Sequence, residues 1–117
     1  MSTKDIVQRY FDALKNKKPW DSFLADGMTF TSVVIPIKQT TGRSAYVEST
    51  KRFFSMIVSV EVREMIVQDD KACVLTRYEL RPPVGNDFSS DVAEIFTVRN
   101  GKIDSLSIYF DTAPFPK

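Results

Sequence analysis

The sequence predicts an α+β fold: three N-terminal helices packed on a curved, mainly antiparallel sheet. Three observations carry that expectation. Apolar residues recur at helical spacing at Ile6, Val7, Tyr10, Phe11 and Leu14, and again at Val47, Thr50, Phe54 and Ile57. From Ala72 to Phe110 the period changes to two, in three runs rich in β-branched and aromatic residues. The last two of those runs are joined by Arg99-Asn100-Gly101-Lys102, and Asn-Gly between alternating apolar runs is the strongest short hairpin signal. Helices first and a meander afterwards is the order of chains that lay their helices on one face of a sheet.

Taken in order, Ser2-Thr3-Lys4-Asp5 offers helix caps, and the first apolar stripe then predicts a helix over residues 3–16. Lys15-Asn16-Lys17-Lys18 forms its solvated end, with cations at the negative helix terminus. Pro19 opens a short second helix to Ala25, carrying Trp20, Phe23 and Leu24 inward, and Asp26-Gly27 reads as a turn. Met28 to Ile37 is rich in Thr, Val, Ile and Phe and reads as a strand, with Pro36 marking an edge or an end. Gln39-Thr40-Thr41-Gly42 reads as a loop into a third helix over Arg43 to Ile57, with Tyr46 and Phe53 beside its apolar stripe. Val58 to Val67 is a strand closed by the turn Gln68-Asp69-Asp70-Lys71. The meander follows: Ala72 to Leu80, Asp91 to Val98 and Ile103 to Phe110, giving the order α-α-β-α-β-β-β-β.

Composition bounds the function. A chain of 117 residues reads as one domain over 1–117, able to bury roughly two-thirds of its unfolded surface. With 43% hydrophobic and 26% charged residues and a net charge of +1, it has the make-up of a globular protein and no basic footprint for nucleic acid or an anionic membrane. No apolar run approaches the roughly 18 residues of a membrane span, and the polar N-terminus is not that of a signal peptide. The single cysteine, Cys73, forbids an internal disulfide, so a reducing, cytoplasmic setting is expected. The chain has no histidine. That removes Ser-His-Asp and Cys-His catalysis and argues against zinc or a two-His iron site, leaving Asp, Glu, Tyr, Lys or Cys73 for acid–base work.

Glu94 is the first candidate. It shares its strand side with Val92, Phe96 and Val98, because strand side chains repeat every two residues. Burial in that row would raise its pKa; a partly solvated carboxylate, or one paired with a neighbouring Arg, is the plainer alternative. Arg77 and Glu79, also two apart, can pair on one strand face. Hydrophobicity turns Thr76, Tyr78 and Leu80 inward, which would leave that pair to solvent or to a partner subunit. Asp111 reads as a chain-end turn residue and Cys73 as a small core residue.

Ile6-Val7, Tyr10-Phe11-Asp12-Ala13-Leu14, Thr41-Gly42-Arg43, Arg77-Tyr78-Glu79, Asn100-Gly101-Lys102-Ile103 and Tyr109-Phe110-Asp111, in this order and spacing, resemble the NTF2-like superfamily over nearly the whole chain. That superfamily includes SnoaL-like proteins, ketosteroid isomerases and limonene-epoxide hydrolases, and its fold hosts isomerases, hydrolases, cyclases and plain binding modules. The resemblance implies a cone-shaped domain with a deep apolar cavity and pairing into homodimers through the outer sheet face. It sets Glu94 where the isomerases hold a protonated acid that donates to a substrate oxygen, and Tyr10 where they hold an oxyanion-binding tyrosine, although Tyr10 also fits as an ordinary core residue. Ser32 stands at the position of the isomerase base, and serine without histidine cannot abstract a carbon-bound proton at a useful rate, so steroid isomerisation is not expected. Arg77 and Glu79 match the Arg-x-Asp pair of the epoxide hydrolases, which would bring them into the cavity. Ile108 replaces the further Asp, and Phe30 and Ser32 replace the pair holding the attacking water, so turnover of limonene-type epoxides is not expected either.

The resulting expectation is a cavity for a small apolar molecule, walled by the aromatics Phe11, Trp20, Phe30, Phe53, Phe96 and Phe110. Leu14, Ser32 and Val92 complete the wall, Glu94 and Tyr10 are its polar anchors, and no cofactor is called for. The competing expectation is a non-catalytic module that assembles through the outer sheet face.

Overall fold

The computed structural model describes residues 2–33 and 37–115. Helix α1 (Thr3–Lys15) begins in a reciprocal cap: the Ser2 hydroxyl accepts from the Asp5 amide, and the Asp5 carboxylate accepts from the Ser2 amide. The helix buries the predicted stripe Ile6, Val7, Tyr10, Phe11 and Leu14.

The second helix is not formed. Only a single 3₁₀ turn, Asp21–Phe23, stands there, because Leu24 already pairs with Ile103 as the start of β1 (Leu24–Ser32). Trp20 and Phe23 still pack on the core, so the apolar pattern was right about burial and wrong about backbone. Asp26-Gly27 is likewise no turn. It lies in β1, where the register against β6 shifts between Leu24 and Thr29. The predicted continuation to Ile37 ends at Ser32; Val34, Ile35 and Pro36 lie outside the described residues.

The predicted loop Gln39–Thr41 is part of β2 (Lys38–Thr41), antiparallel to β1 with Ser32 opposite Lys38 and Thr29 opposite Thr41. Its four polar residues carry no alternation, as befits an edge strand. Helix α2 (Arg43–Ser55) buries Tyr46 and Thr50 and stops two residues short of the predicted end, since Ile57 opens β3 (Ile57–Gln68). The meander β4 (Lys71–Leu80), β5 (Phe88–Arg99) and β6 (Lys102–Phe110) follows, β5 starting three residues earlier than predicted because Phe88 pairs with Leu80. Asn100 and Gly101, both at positive φ (53° and 73°), make the β5–β6 turn.

The chain therefore has two α-helices rather than three and six strands rather than five. The order across the curved mixed sheet is β2-β1-β6-β5-β4-β3, parallel at β1–β6 and antiparallel elsewhere. On its inner face α1 closes one region into a filled core with Leu24, Val74, Phe96, Ile103 and Leu106. Under α2 the same face is left open.

Candidate functional site

That opening is a cavity of about 260 Å³ between α2 and the inner faces of β1, β2, β4, β5 and β6. Helix α2 supplies Tyr46, Phe53 and Phe54; the sheet supplies Phe30, Val92, Ile108 and Phe110; Phe115 closes the side beyond β6. Phe115 stacks on Phe53 at 6.3 Å and meets Phe88 and Phe110 at 5.0 and 5.3 Å. The walls are thus chiefly aromatic rings, in stacked, tilted and edge-to-face contacts with one another.

Most of the polar side chains around this space are hydroxyls. Ser49 and Thr50 turn their hydroxyls onto the Tyr46 carbonyl, at 2.9 and 2.8 Å, and so belong to the helix. Glu94 is different. It is 3% exposed, and Tyr78 donates its hydroxyl to Glu94 Oε2 at 2.8 Å. The Thr76 hydroxyl lies equally close to the same oxygen and 3.2 Å from the Val92 carbonyl. Burial pushes the Glu94 carboxyl from 4.5 up to about 7, against the opposing pull of the Thr76 and Tyr78 hydrogen bonds. Burial first, and then the charge of Glu94, holds the Tyr78 phenol well above its ordinary value, so it remains a donor at neutral pH. On the same face of β5 the Ser90 hydroxyl is buried and has no hydrogen-bond partner among the described residues.

The other sequence candidates divide. Phe30, Ser32, Phe53, Val92 and Phe110 line the cavity together with Glu94. Tyr10, Phe11, Leu14, Trp20 and Phe96 do not. Tyr10, Phe11, Leu14 and Phe96 are buried in the core and Trp20 packs against it, because the α1 stripe has the sheet itself as its partner. Tyr10 touches the site only from behind, its hydroxyl 3.0 Å from that of Tyr46. Burial, then the neighbouring Tyr46, Tyr78 and Glu94 charges, holds the Tyr10 phenol far above its ordinary value. Arg77 and Glu79 are turned away from the cavity. Thr76, Tyr78 and Leu80 take the inward positions of β4, and Arg77 pairs on the outer face with Glu79 at 3.4 Å and Asp91 at 3.7 Å. The epoxide-hydrolase placement of that pair is thereby overturned by simple alternation.

Sequence reasoning missed ten of the described lining residues, among them Tyr46, Tyr78, Lys38 and Ile108. Tyr78 carried a usable signal, since it alternates with Leu80 on the inward face of β4. A second, more open groove lies between the start of β1 and the β5–β6 turn; Arg43 pairs there with Asp26 at 2.8 Å and Arg99 with Asp104 at 3.8 Å, while Lys102 donates to the Ser22 carbonyl at 2.6 Å. Among the described residues no group of three or more His, Cys, Asp or Glu could hold a metal ion, and no helix is long and apolar enough to cross a membrane.

Comparison with known proteins agrees with this architecture. The family model described as a SnoaL-like domain matches residues 7–106. No curated protein matches the chain. An NTF2-like protein from Burkholderia thailandensis superposes with a TM-score of 0.84 at 17% identity, covering 97% of this chain and 94% of that one. An NTF2-like protein of unknown function from Cytophaga hutchinsonii gives 0.78 at 20% identity, covering 97% and 94%. A protein with a ketosteroid isomerase-like fold from Catenulispora acidiphila, solved in complex with trimethylamine, gives 0.77 at 20% identity, covering 93% and 87%. At these identities the likeness is one of fold.

Proposed function

Because this chain belongs to the SnoaL-like domain family, we propose that it is a single NTF2-like domain over 1–117 whose cavity binds a small, largely apolar organic molecule through a polar oxygen, with Glu94 as the proton-sharing group. One observation carries the reading: the only carboxyl group among the described lining residues sits buried in a chiefly aromatic cavity. A group whose pKa is raised to about 7 holds and releases a proton near neutral pH, the condition for acid–base work. With Oε2 engaged by Tyr78 and Thr76, the carboxyl proton belongs on Oε1, which has no protein partner among the described residues. The orphaned Ser90 hydroxyl is a second polar group that an occupant can satisfy.

If the bound molecule is turned over, the chemistry is a cofactor-independent isomerisation or cyclisation in which Glu94 protonates a developing oxyanion. Steroid-type proton abstraction from the Ser32 position is not part of it, since serine there has no histidine to activate it. Epoxide hydrolysis through Arg77 and Glu79 is not part of it either, both being on the outer face.

The test is equilibrium binding of small ketones and their hydrocarbon analogues to wild type and Glu94→Leu. Wild type should prefer the ketone, and the substitution should reduce that preference about tenfold, the worth of one good hydrogen bond. Equal preference in both proteins would remove Glu94 from the site and leave the assembly-module reading.

A further inference from the structure

The strand register lays the cavity out as a measured row. Glu94 on β5 stands opposite Ile108 on β6, Ile108 opposite Ser32 on β1, and Ser32 opposite Lys38 on β2. All four side chains line the cavity, so they share the inner face. Glu94 and Lys38 are therefore three strand spacings apart, about 14 Å along the sheet at ~4.8 Å per spacing, and less across its concave side. Because strand side chains stand roughly perpendicular to the sheet and converge on its concave side, the carboxyl and the ammonium lie closer than that, on the order of 8–10 Å apart.

The two ends differ in kind. Glu94 is buried, whereas Lys38 is exposed, on the edge strand at the cavity mouth. Lys38 is the one cation among the described lining residues, and no described carboxylate forms an ion pair with it. An ammonium standing over an apolar, aromatic-walled space selects an anion whose remainder is apolar, because the charge stays near water while the body is buried. Ser32, next to Lys38 in the row, adds a hydroxyl at the same end.

From this row we infer that the occupant is an amphipathic carboxylate: its anionic head meets Lys38 at the mouth, and an apolar body about 8–10 Å long carries a carbonyl or hydroxyl oxygen in to Glu94. This rests on the proposed cavity reading and adds the head group, the length and the direction of entry.

Three probes with one keto end separate the two ideas: 8-oxononanoate, its methyl ester and nonan-2-one, measured by calorimetry against wild type, Lys38→Gln, Lys38→Arg and Glu94→Leu. Wild type should bind the acid about tenfold more tightly than the ester, by a margin that shrinks as salt is added. Lys38→Gln should erase that margin without changing the ester's affinity, and Lys38→Arg should keep it. Glu94→Leu should weaken all three probes by a similar factor and leave the margin intact. Equal binding of acid and ester by wild type, or a margin that survives Lys38→Gln, overturns the head-group assignment while the keto–Glu94 reading stands. Failure of wild type to bind any of the three overturns both.

Discussion

A carboxyl group set against Val92 and beneath aromatic rings is easier to keep neutral than charged, and this ties the chemistry of Glu94 to the stability of the fold. Its folded pKa of about 7 lies above the ordinary 4.5, so between those values the native state holds a proton that the unfolded chain has released. Stability is then full below about pH 4.5, falls as pH rises toward 7, and levels off beyond. The loss is about 3 kcal/mol, or roughly 10 °C in Tm for a domain of this size. Glu94→Gln keeps an oxygen for Tyr78 and Thr76 and has no proton to lose, so the difference in Tm between the two proteins should change across this window by that amount. Parallel curves from pH 5 to 8 would mean that Glu94 is solvated. The residue was legible because a two-residue period put it in line with Val92, Phe96 and Val98. That the inward-facing Tyr78 would be its donor was not, because the contact depends on the β4–β5 register, in which Thr76 faces Val92 and Tyr78 faces Ser90. Tyr10 was misread for a related reason: a helical stripe looks the same whether it covers a core or a cavity.

At the scale of elements, the open space depends on where α2 is set down. Its N-cap is Gly42, at φ 101°, whose amide donates to the Met28 carbonyl of β1 at 2.7 Å and whose carbonyl accepts from Tyr46 at 3.0 Å. An added Cβ would meet nothing closer than the Asp26 carbonyl at 3.9 Å, so an alanine there suffers from backbone strain and not from a clash. Gly42→Ala should therefore cost about 1 kcal/mol or more, read as a lower urea midpoint at unchanged slope. Gly27→Ala, with nothing within 4 Å and no positive φ, should be neutral or slightly stabilising. Equal losses at the two sites would show that φ is not what fixes the start of α2. The meander and the Asn100-Gly101 turn were legible because period and turn chemistry agree there. The N-terminal half was less so: β1 carries a Gly at its irregularity, β2 is four polar residues long, and Pro19 suits a single 3₁₀ turn as well as a helix.

The whole molecule turns two different faces outward, and the sheet's outer one is incompletely satisfied as a surface. Ile66, Cys73 and Ile95 lie in one register row across β3, β4 and β5; Leu75, Ala93 and Tyr109 lie in the next across β4, β5 and β6. Of these, Ile66 is 58% exposed, Tyr109 45%, and Leu75 and Ile95 38% each. The Arg77–Glu79 and Arg77–Asp91 pairs border that apolar band. A band of this kind, with charge at its rim, has the make-up of an interface, for which roughly 800 Å² per partner is usual. A homodimer through this face is the expected assembly. Light scattering at tens of micromolar should give twice the chain mass, that concentration being well above the dissociation constant of even a moderate dimer. Ile95→Lys and Leu75→Lys add a charge at the centre of the band, where it would be desolvated unpaired, and should each yield a folded monomer. Because both side chains point away from the cavity, the monomers should bind the keto probes as wild type does. A wild-type monomer at that concentration would refute the assembly, whereas monomeric variants that lose the ligand would mean that the two faces are coupled through the sheet.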